Sequence, residues 1–407
     1  MASRGRFASF LDETALMGKG QSEQYAAKFQ DGPMRPFYPP FLELLMNVHA
    51  DPTPQFDAAA AESFAGDMAG ILNAGALAVM LSFGHQTSLF DHMADLPPST
   101  SDEIAKAATL SERYVREWLA AMVTGRIVHY EPKGALYHLP PEHAAALTRG
   151  APMGNFASTA QLVSMIGASE KRLLDCFKTG EGTKYEDYPC FHKVMAEDSG
   201  QTVVAQMFDV IVPMVPGLNG RLRDGIDVMD AGCGEGKALV ALAEYYSASR
   251  FVGYDLCADA IATANDLAQS KGLTNLRFEV KDLTGYDAKD AFDFVTSFDA
   301  VHDQKDPQAL VTSLYGCLRP GGAYLMQDIG GSAVLENNHD FAMAPFLYSV
   351  SCCHCMPVSL GQGGAGLGTM WGWETALEML KIAGFSNSER HVLPHDPMNV
   401  WFVSQKA

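Results

Sequence analysis

The chain has few basic residues for its length: 29 Lys and Arg stand against 48 Asp and Glu in 407 residues, a formal net charge of −19. A field of this sign repels phosphate backbones and anionic lipid headgroups, so we expect neither nucleic acid nor a membrane surface as a partner. The sequence also lacks internal repeats and low-complexity tracts, and 47% of its residues are hydrophobic. This composition is typical of an ordinary globular protein, with room for two or three domains.

Cysteine is sparse, and its eight positions show none of the spacings that are typical of secreted disulfide scaffolds. The chain does not open on a charged and then apolar signal pattern. Both absences predict reduced thiols and a cytoplasmic location. Long apolar runs are missing as well: the most apolar stretch, Met68 to Phe83, contains Asn73 and two glycines and is shorter than a membrane span requires. It predicts a buried or subunit-interface helix.

The order of elements predicts four regions, which are an N-terminal extension over residues 1–60, a helical domain with a wing over 61–150, a helical linker lining a pocket over 151–220, and a strand–helix domain over 221–407 with an insertion at 329–372. The extension could be a tail, a subunit clasp or a lid. Its prolines between Pro33 and Pro40 exclude a helix there.

The second region reads as helices followed by a β-hairpin. Ser99 and Ser111 stand where helix caps are expected, and the segments Arg126–Tyr130 and Ala135–Leu139 read as two strands around a turn. This layout resembles a winged helix. A DNA-reading helix is normally basic, but the helix predicted from Ser111 to Met122 carries two acids and two arginines. Its zero net charge favours dimerisation and pocket walls over DNA binding.

A glycine-rich turn in the last region carries the strongest chemical signal. The predicted strand Ile226–Met229 leads into Gly232, Gly234 and Gly236, and a helical segment follows. Glycines at this spacing let the backbone approach a bulky ligand, and the helix that follows points free N–H groups at it. Asp255 ends the next strand, where a carboxylate can accept hydrogen bonds from both ribose hydroxyls. We therefore predict an adenosine-containing cofactor.

Strands and helices alternate from about residue 221, which predicts a parallel sheet with right-handed crossovers. Ligands of such sheets bind at the carboxyl ends of the strands. Acidic residues fall at all five predicted strand ends, namely Asp230, Asp255, Asp282, Asp299 and Asp328.

Two segments supply candidate catalytic and substrate residues. Asp299 and His302 follow the fourth predicted strand, and an imidazole can take a proton from a hydroxyl, thiol or phenol; a purely structural histidine is the alternative. The insertion carries Ser351-Cys-Cys-His-Cys-Met-Pro357. Adjacent residues of one short segment cannot all converge on a tetrahedral ion, so we predict no metal site. His354, Cys355 and Met356 instead predict a pocket wall, followed by a flexible glycine lid.

The glycine turn, with Asp230 before it and its third glycine one position early, resembles motif I of class I S-adenosylmethionine (SAM) methyltransferases. Lys281-Asp282-Leu283, the segment from Phe292 to Asp303, and Leu318-Arg-Pro-Gly-Gly322 then follow in that family's order. From about residue 65 onwards the chain resembles, more narrowly, the uncharacterised winged-helix methyltransferases of mycobacteria and nematodes, on motifs that include Phe298-Asp-Ala-Val-His-Asp-Gln304, Gln327-Asp-Ile, His354-Cys355-Met356 and Trp371-Gly.

The resemblance implies a Rossmann-like α/β domain with seven strands, preceded by a mainly helical winged-helix domain, and a homodimer. It implies cofactor contacts from Asp230, Gly232, Gly234, Gly236, Asp255, Leu256, Asp282, Leu283, Phe298 and Asp299. Substrate contacts are implied for His302, Gln327, His354, Cys355, Met356 and Trp371, with Asp299, His302 and His354 as catalytic candidates. The implied activity is methyl transfer from SAM to a small molecule, such as a thiol or another sulfur compound. The alternatives are a natural-product O-methyltransferase and a ligand-sensing winged-helix regulator.

Overall fold

The computed structural model describes residues 56–150, 154–188 and 191–407. The chain divides into two compact units, Met1–Asp67 and Met68–Ala407. The proline-rich arm and most of the predicted extension lie outside the described residues. The wing region and the sheet described below both belong to the second unit.

The helices before the sheet are α1 (Ala58–Gln86), α2 (Leu89–Asp95), α3 (Ser101–Ala108), α4 (Glu112–Thr124), α5 (Pro141–Ala144), α6 (Phe156–Thr159), α7 (Gln161–Thr179), α8 (Phe191–Thr202), α9 (Val212–Met214) and α10 (Leu218–Asp224). Those within and after the sheet are α11 (Lys237–Tyr245), α12 (Ala258–Ser270), α13 (Pro307–Cys317), α14 (Ala344–Val350), α15 (Met356–Gly361) and α16 (Trp373–Ala383). Short 3₁₀ turns cover Tyr185–Asp187, Val204–Gln206 and Leu335–Asn338, and π-helical turns cover Met207–Ile211 and Ser351–Cys355.

The winged helix forms as predicted. Thr100 caps α3 in a capping box with Glu103, whose side chain accepts from the Thr100 N–H at 2.8 Å. Strands β1 (His129–Glu131) and β2 (Leu136–His138) pair as an antiparallel hairpin. The apolar face of α4 is buried against Phe90 and Met93 of α2 and Ile104 of α3. The three helices therefore share one small core.

Helix α1 differs from its prediction. It is 29 residues long, not a short buried segment, and by length and composition it is the one helix among the described residues that alone could cross a membrane. The prediction of a span that is too short is therefore wrong, and so is the alternative of a buried helix, whereas the alternative of a subunit-interface helix stays a prediction. Ile71 and Leu72 are 62% and 75% exposed.

The sheet has seven strands in the order β5-β4-β3-β6-β7-β9-β8, with bounds β3 (Asp227–Ala231), β4 (Arg250–Asp255), β5 (Leu276–Val280), β6 (Phe292–Phe298), β7 (Leu318–Ile329), β8 (Ser388–Leu393) and β9 (Asp396–Gln405). Strands β3 to β7 are parallel, and β8 and β9 close the sheet antiparallel, as predicted. The chain leaves β3 toward β4 and β5 and then returns to β6 on the other side. A ligand crevice is expected at this switch between β3 and β6.

Alternating residues of the central strands fill the two faces of the sheet. Val228 and Phe294 pack with one group of helices, and Met229 and Val295 pack with the other. Burial on both faces explains why the middle of these strands is mainly apolar and why their acids lie near the two ends, with Asp227 at the start of β3 and Asp230 near its carboxyl end. The core therefore holds the strand ends, and the acids they carry, in fixed register.

About half of the insertion at 329–372 is helical. Its glycine segment, predicted as a flexible lid, is tied to the neighbouring backbone: the Ala365 N–H donates to the Lys305 carbonyl at 3.1 Å, and the Gly366 N–H donates to Ser359 Oγ at 3.1 Å. These bonds tie the segment to the loop after β6 and to α15.

Candidate active site

The glycine turn lines a cavity at the carboxyl ends of β3 and β4. Gly232, Gly234 and Gly236 have φ angles of 75°, 51° and 74°, which disfavour a side chain. A Cβ on Gly232 would lie 2.5 Å from Ala300 Cβ, and one on Gly236 would lie 2.3 Å from Phe278 Cζ. A Cβ on Gly234 would meet no described atom within 4 Å. Gly234 therefore leaves room for a ligand, whereas its two neighbours leave room for the protein.

Two acids flank this turn. Asp255 accepts from the Gly234 N–H at 2.9 Å and from the Cys257 N–H at 2.8 Å, which fixes its carboxylate at the rim. Asp230 is buried and accepts from Thr296 Oγ at 2.7 Å. Burial raises the pKa of Asp230 to about 7, although the Thr296 hydroxyl lowers it, and the Asp255 charge raises it further.

Nine of the ten predicted cofactor residues line this cavity, which we call the donor cavity: Asp230, Gly232, Gly234, Gly236, Asp255, Leu256, Leu283, Phe298 and Asp299. The tenth, Asp282, is not among the described lining residues. It is exposed, and its carboxylate accepts from the Thr284 N–H at 2.8 Å in a local turn. Lys281 and Leu283 line the cavity on either side of it.

His302 and Asp328 form a buried pair between the ends of β6 and β7. His302 Nδ1 lies 2.8 Å from Asp328 Oδ1, which also accepts from Trp371 Nε1 at 2.9 Å and from the Ile329 N–H at 2.8 Å. Burial lowers the pKa of His302, but the Asp328 carboxylate and the Cys355 thiol outweigh it and raise that pKa well above the ordinary value. Burial and the Asp328 charge likewise raise the pKa of Asp299 well above its usual range.

A second cavity of about 70 Å³, which we call the acceptor cavity, lies beside His302 and shares Asp299 and Asp303 with the donor cavity. Its remaining wall is mainly apolar, with residues from the linker, the insertion and the loop before β9, namely Thr159, Leu162, Phe191, Met195, Asp198, Ile329, Phe346, Leu347, Val350, Cys355, Thr369, Met398 and Asn399. Since a cavity needs about 10–15 Å³ to hold one water molecule, this cavity has room for about five waters or a small group of ligand atoms.

Of the predicted substrate residues, His302 and Cys355 line the acceptor cavity, whereas Gln327, His354, Met356 and Trp371 are absent from its described wall. Gln327 donates to Asp396 Oδ2 at 2.8 Å behind the sheet edge. Trp371 supports Asp328 from behind. Both residues therefore hold other side chains in place, and their substrate contacts stay predictions.

The placement of His354 corrects its catalytic assignment. The ring is buried and stacks on Phe191 with centroids 3.9 Å apart, and its Nε2 has no hydrogen-bond partner within the described part of the chain. Burial lowers the pKa of His354 to about 3, so the ring is uncharged at neutral pH. It packs behind Phe191 and is separated from the acceptor cavity.

The sequence reasoning missed functional residues of two kinds. Tyr185 and Asp198 come from the linker, and the Tyr185 hydroxyl donates to Asp303 Oδ2 at 2.7 Å. No local pattern marks these two, because only the tertiary fold brings the linker over the sheet. Asp328 was named among the strand-end acids, but its pairing with His302, which follows the neighbouring strand, was not predicted.

Asp299, His302 and Asp328 also form the one group within the described ranges whose ligand atoms could hold a metal ion; one atom of each lies within 4.8 Å of the others. The cysteine run of the insertion forms no such group there. Cys352 and Cys353 are half-buried, and Cys355 is buried toward the acceptor cavity.

The seven-stranded sheet, the glycine turn and the crevice at the strand switch define a class I methyltransferase fold behind a winged helix. Comparison with known families agrees: a model described as an Rv2258c-like winged HTH domain matches residues 75–149, and one described as a methyltransferase domain matches residues 222–384. The chain thus carries both domains.

Among curated proteins, an arsenite methyltransferase of Aquipseudomonas alcaligenes is 31% identical over 117 residues, which are 26% of this chain and 34% of that protein. The chain thus matches about a third of the length of that relative. Among solved structures, human N-acetylserotonin methyltransferase in complex with SAM aligns with a TM-score of 0.60 at 17% identity, covering 87% of this chain and 99% of the other. An O-methyltransferase family protein from Burkholderia thailandensis aligns with a TM-score of 0.61 at 14% identity, covering 84% and 98%. Similarity at 14% and 17% identity shows the fold alone.

Proposed function

We propose that this protein transfers the methyl group of SAM to a small-molecule acceptor. The observation that carries the proposal is the pair of adjoining cavities, since Asp299 and Asp303 belong to the walls of both. A donor and an acceptor bound on either side of these residues would be held close together, and such positioning can supply a large part of the rate of a displacement reaction.

The donor cavity fits SAM in its chemistry. Asp255 offers a fixed carboxylate for ribose hydroxyls, Asp230 is a buried acid suited to the positive methionine part, and the open face of Gly234 admits a ligand. Leu256 and Leu283 offer apolar surface for the adenine ring. When bound, SAM supplies an electrophilic methyl group, and the residues of the protein supply binding, orientation and proton uptake.

The acceptor cavity favours a compact, mainly apolar molecule with a hydroxyl or thiol nucleophile. An acceptor that fills this mainly apolar cavity would displace the water from it, which would protect the sulfonium donor from competing nucleophiles. His302 is placed to take up the acceptor's proton, because Asp328 orients its ring from behind. A thiol acceptor agrees with the sulfur atoms of Met195, Cys355 and Met398 in the wall. A phenol is the O-methyltransferase alternative and agrees with the structural neighbours.

Two measurements test this proposal. Calorimetry should give binding of both SAM and S-adenosylhomocysteine to the wild-type protein, and the absence of binding to either would refute it. Mass spectrometry of a panel of thiols, phenols and amines incubated with SAM should then find a methylated product. His302→Ala should keep SAM affinity and lose most turnover, whereas unchanged turnover would exclude His302 as the base.

We also propose that the protein is a homodimer in the cytoplasm, with α1 at the subunit interface. The exposed side chains of Ile71, Leu72 and Phe83 support this arrangement, because they present an apolar surface to solvent. Ile71→Lys with Leu72→Lys should convert a dimer to a monomer in sedimentation experiments. A monomeric wild-type protein that co-sediments with lipid vesicles would instead assign α1 to a membrane.

The second candidate function is a DNA-binding regulator, which the winged helix suggests. The exposed arginines of α4 argue against it, because Arg113 pairs with Glu117 and Arg116 pairs with Glu112 one turn away. These pairs leave little positive charge for phosphate contacts. A salt-dependent shift of a DNA fragment in a gel would revive the regulator.

A further inference from the structure

We propose that Asp299, His302 and Asp328 hold a divalent metal ion beside the acceptor cavity, whose wall Asp299 and His302 line, and that the ion binds the acceptor's oxygen or sulfur atom. One ligand atom from each residue lies within 4.8 Å of the others. Two carboxylates and an imidazole suit Zn²⁺ and Mn²⁺, and three protein ligands leave a position open for substrate. The inference rests on the proposed function, because the acceptor would occupy that position.

Two buried oxygen atoms point to a missing ligand. Asp299 Oδ1 and Asp328 Oδ2 are both buried and have no hydrogen-bond partner in the described part of the chain. The Asp328 side chain is only 1% exposed, so solvent cannot satisfy it. A buried carboxylate oxygen without a partner costs free energy, and a metal ion between the two carboxylates would remove that cost.

The charge of the site also fits a divalent cation. Within the described ranges, no Lys or Arg lines the acceptor cavity, although Asp198, Asp299 and Asp303 do. Buried carboxylates need a counter-charge or must take up protons. Two ionised carboxylates and a neutral imidazole carry the charge that one divalent ion neutralises, so the ion would replace the proton that His302 and Asp328 share. With the ion bound, His302 would act as its ligand and not as the free base proposed above.

The surrounding structure holds the three ligands in place. Asp299 adopts a φ of 53°, rare for a residue with a side chain, and its N–H donates to the Gln327 carbonyl at 3.0 Å. This bond joins the end of β6 to β7 and keeps Asp299 near Asp328. Trp371 donates to the bonded oxygen of Asp328, as the outer partners of metal ligands commonly do. Asp299 also borders the donor cavity, so a metal-bound acceptor atom would lie near the methyl group.

The test uses the full chain, stripped of metal with a chelator. Titration with Zn²⁺ should show one tight site per chain, and Co²⁺ should give the visible bands of a site with nitrogen and oxygen ligands. Asp299→Asn and Asp328→Asn should each weaken Zn²⁺ binding about 100-fold or more, and Trp371→Phe about 10-fold, as is typical of an outer partner. Asp303→Asn is the matched control: this acid of the same cavity accepts from Tyr185 instead, and its loss should leave Zn²⁺ affinity unchanged.

Three outcomes would overturn the proposal: no tight Zn²⁺ site, a site that survives Asp299→Asn, or a site lost in Cys352→Ser with Cys353→Ser. The last would assign the ion to the cysteine run, and Co²⁺ would then show strong sulfur charge-transfer bands. If Asp328→Asn does not fold, Asp299→Asn alone decides the matter, because a His302–Asp328 pair acting without metal has no need of Asp299. Calorimetry with SAM on the same samples separates a failure of the metal site from a failure of the proposed function.

Discussion

The buried carboxyl group of Asp230 should make the protein less stable as the pH rises. The folded-state pKa of about 7 lies above the unfolded value of about 3.9, so between these values the folded protein binds more protons than the unfolded chain. The free energy of unfolding therefore falls as the pH rises through this window and levels off above it. At 1.36 kcal/mol per pH unit, the total loss is about 4 kcal/mol at pH 8 but only about 1.5 kcal/mol at pH 5.

Replacing Asp230 with Asn removes this titration and keeps an oxygen atom for the Thr296 hydroxyl. The new amide group costs about 1–3 kcal/mol if its N–H groups find no acceptor, but that cost is the same at both pH values. The stability of Asp230→Asn relative to wild type should therefore improve by about 2.5 kcal/mol between pH 5 and pH 8. Urea unfolding of the cofactor-free protein at the two pH values measures this difference.

The same substitution should damage cofactor binding. If the ionised Asp230 carboxylate attracts the positive methionine part of SAM, Asp230→Asn should weaken SAM binding about 10- to 100-fold at pH 8, which is the worth of a hydrogen bond to a charged group. Asp287→Asn, at an exposed acid outside both cavities, is the control and should change neither quantity. A relative stability of Asp230→Asn that does not vary with pH would refute the reasoning about burial.

Three further predictions follow from particular contacts. Gly236→Ala should lower the melting temperature, because its methyl group would clash with Phe278, whereas Gly234→Ala should mainly weaken SAM binding in calorimetry. Equal losses of stability would contradict the inference that Gly236 makes room for the protein and Gly234 for the ligand. Tyr185→Phe should lower turnover more than SAM affinity, because Asp303 Oδ2 loses its donor at the junction of the cavities. Thr100→Ala should cost about 1 kcal/mol in urea unfolding through the loss of the α3 cap, without any change in SAM binding.

The donor side of the site could be predicted from the sequence because its residues stand at strand ends. Glycines and acids such as Gly234 and Asp255 occupy positions that the parallel sheet fixes, so spacing along the chain translates directly into position in space. Asp282 is not among the described lining residues, because it lies in a local turn whose direction the strand does not set. Its neighbour Leu283 kept the predicted place.

The acceptor side depends on segments that are distant in the chain. Tyr185 reaches Asp303, 118 positions away, and no periodicity or motif records such a contact. The side-chain directions in the insertion could not be predicted for a similar reason. His354 and Cys355 are neighbours in sequence, but in the π-helical turn His354 packs behind Phe191 and Cys355 lines the acceptor cavity. Side-chain direction in an irregular helix follows from tertiary packing, so it could not be predicted from this sequence alone.

This division has a physical consequence for the reaction. The donor-side acids are fixed by the sheet, whereas the acceptor wall comes from the linker, α14 and the π-helical turn, so substitutions in that wall can change the acceptor without disturbing the core. Asp299 belongs to both cavities, and its strained backbone is held by a bond between strand ends. A residue in that position cannot be altered for one cavity alone. Asp299→Asn is therefore the substitution that should couple the two sides, weakening metal binding and shifting SAM affinity together, whereas Asp230→Asn should weaken SAM binding and leave Zn²⁺ affinity unchanged.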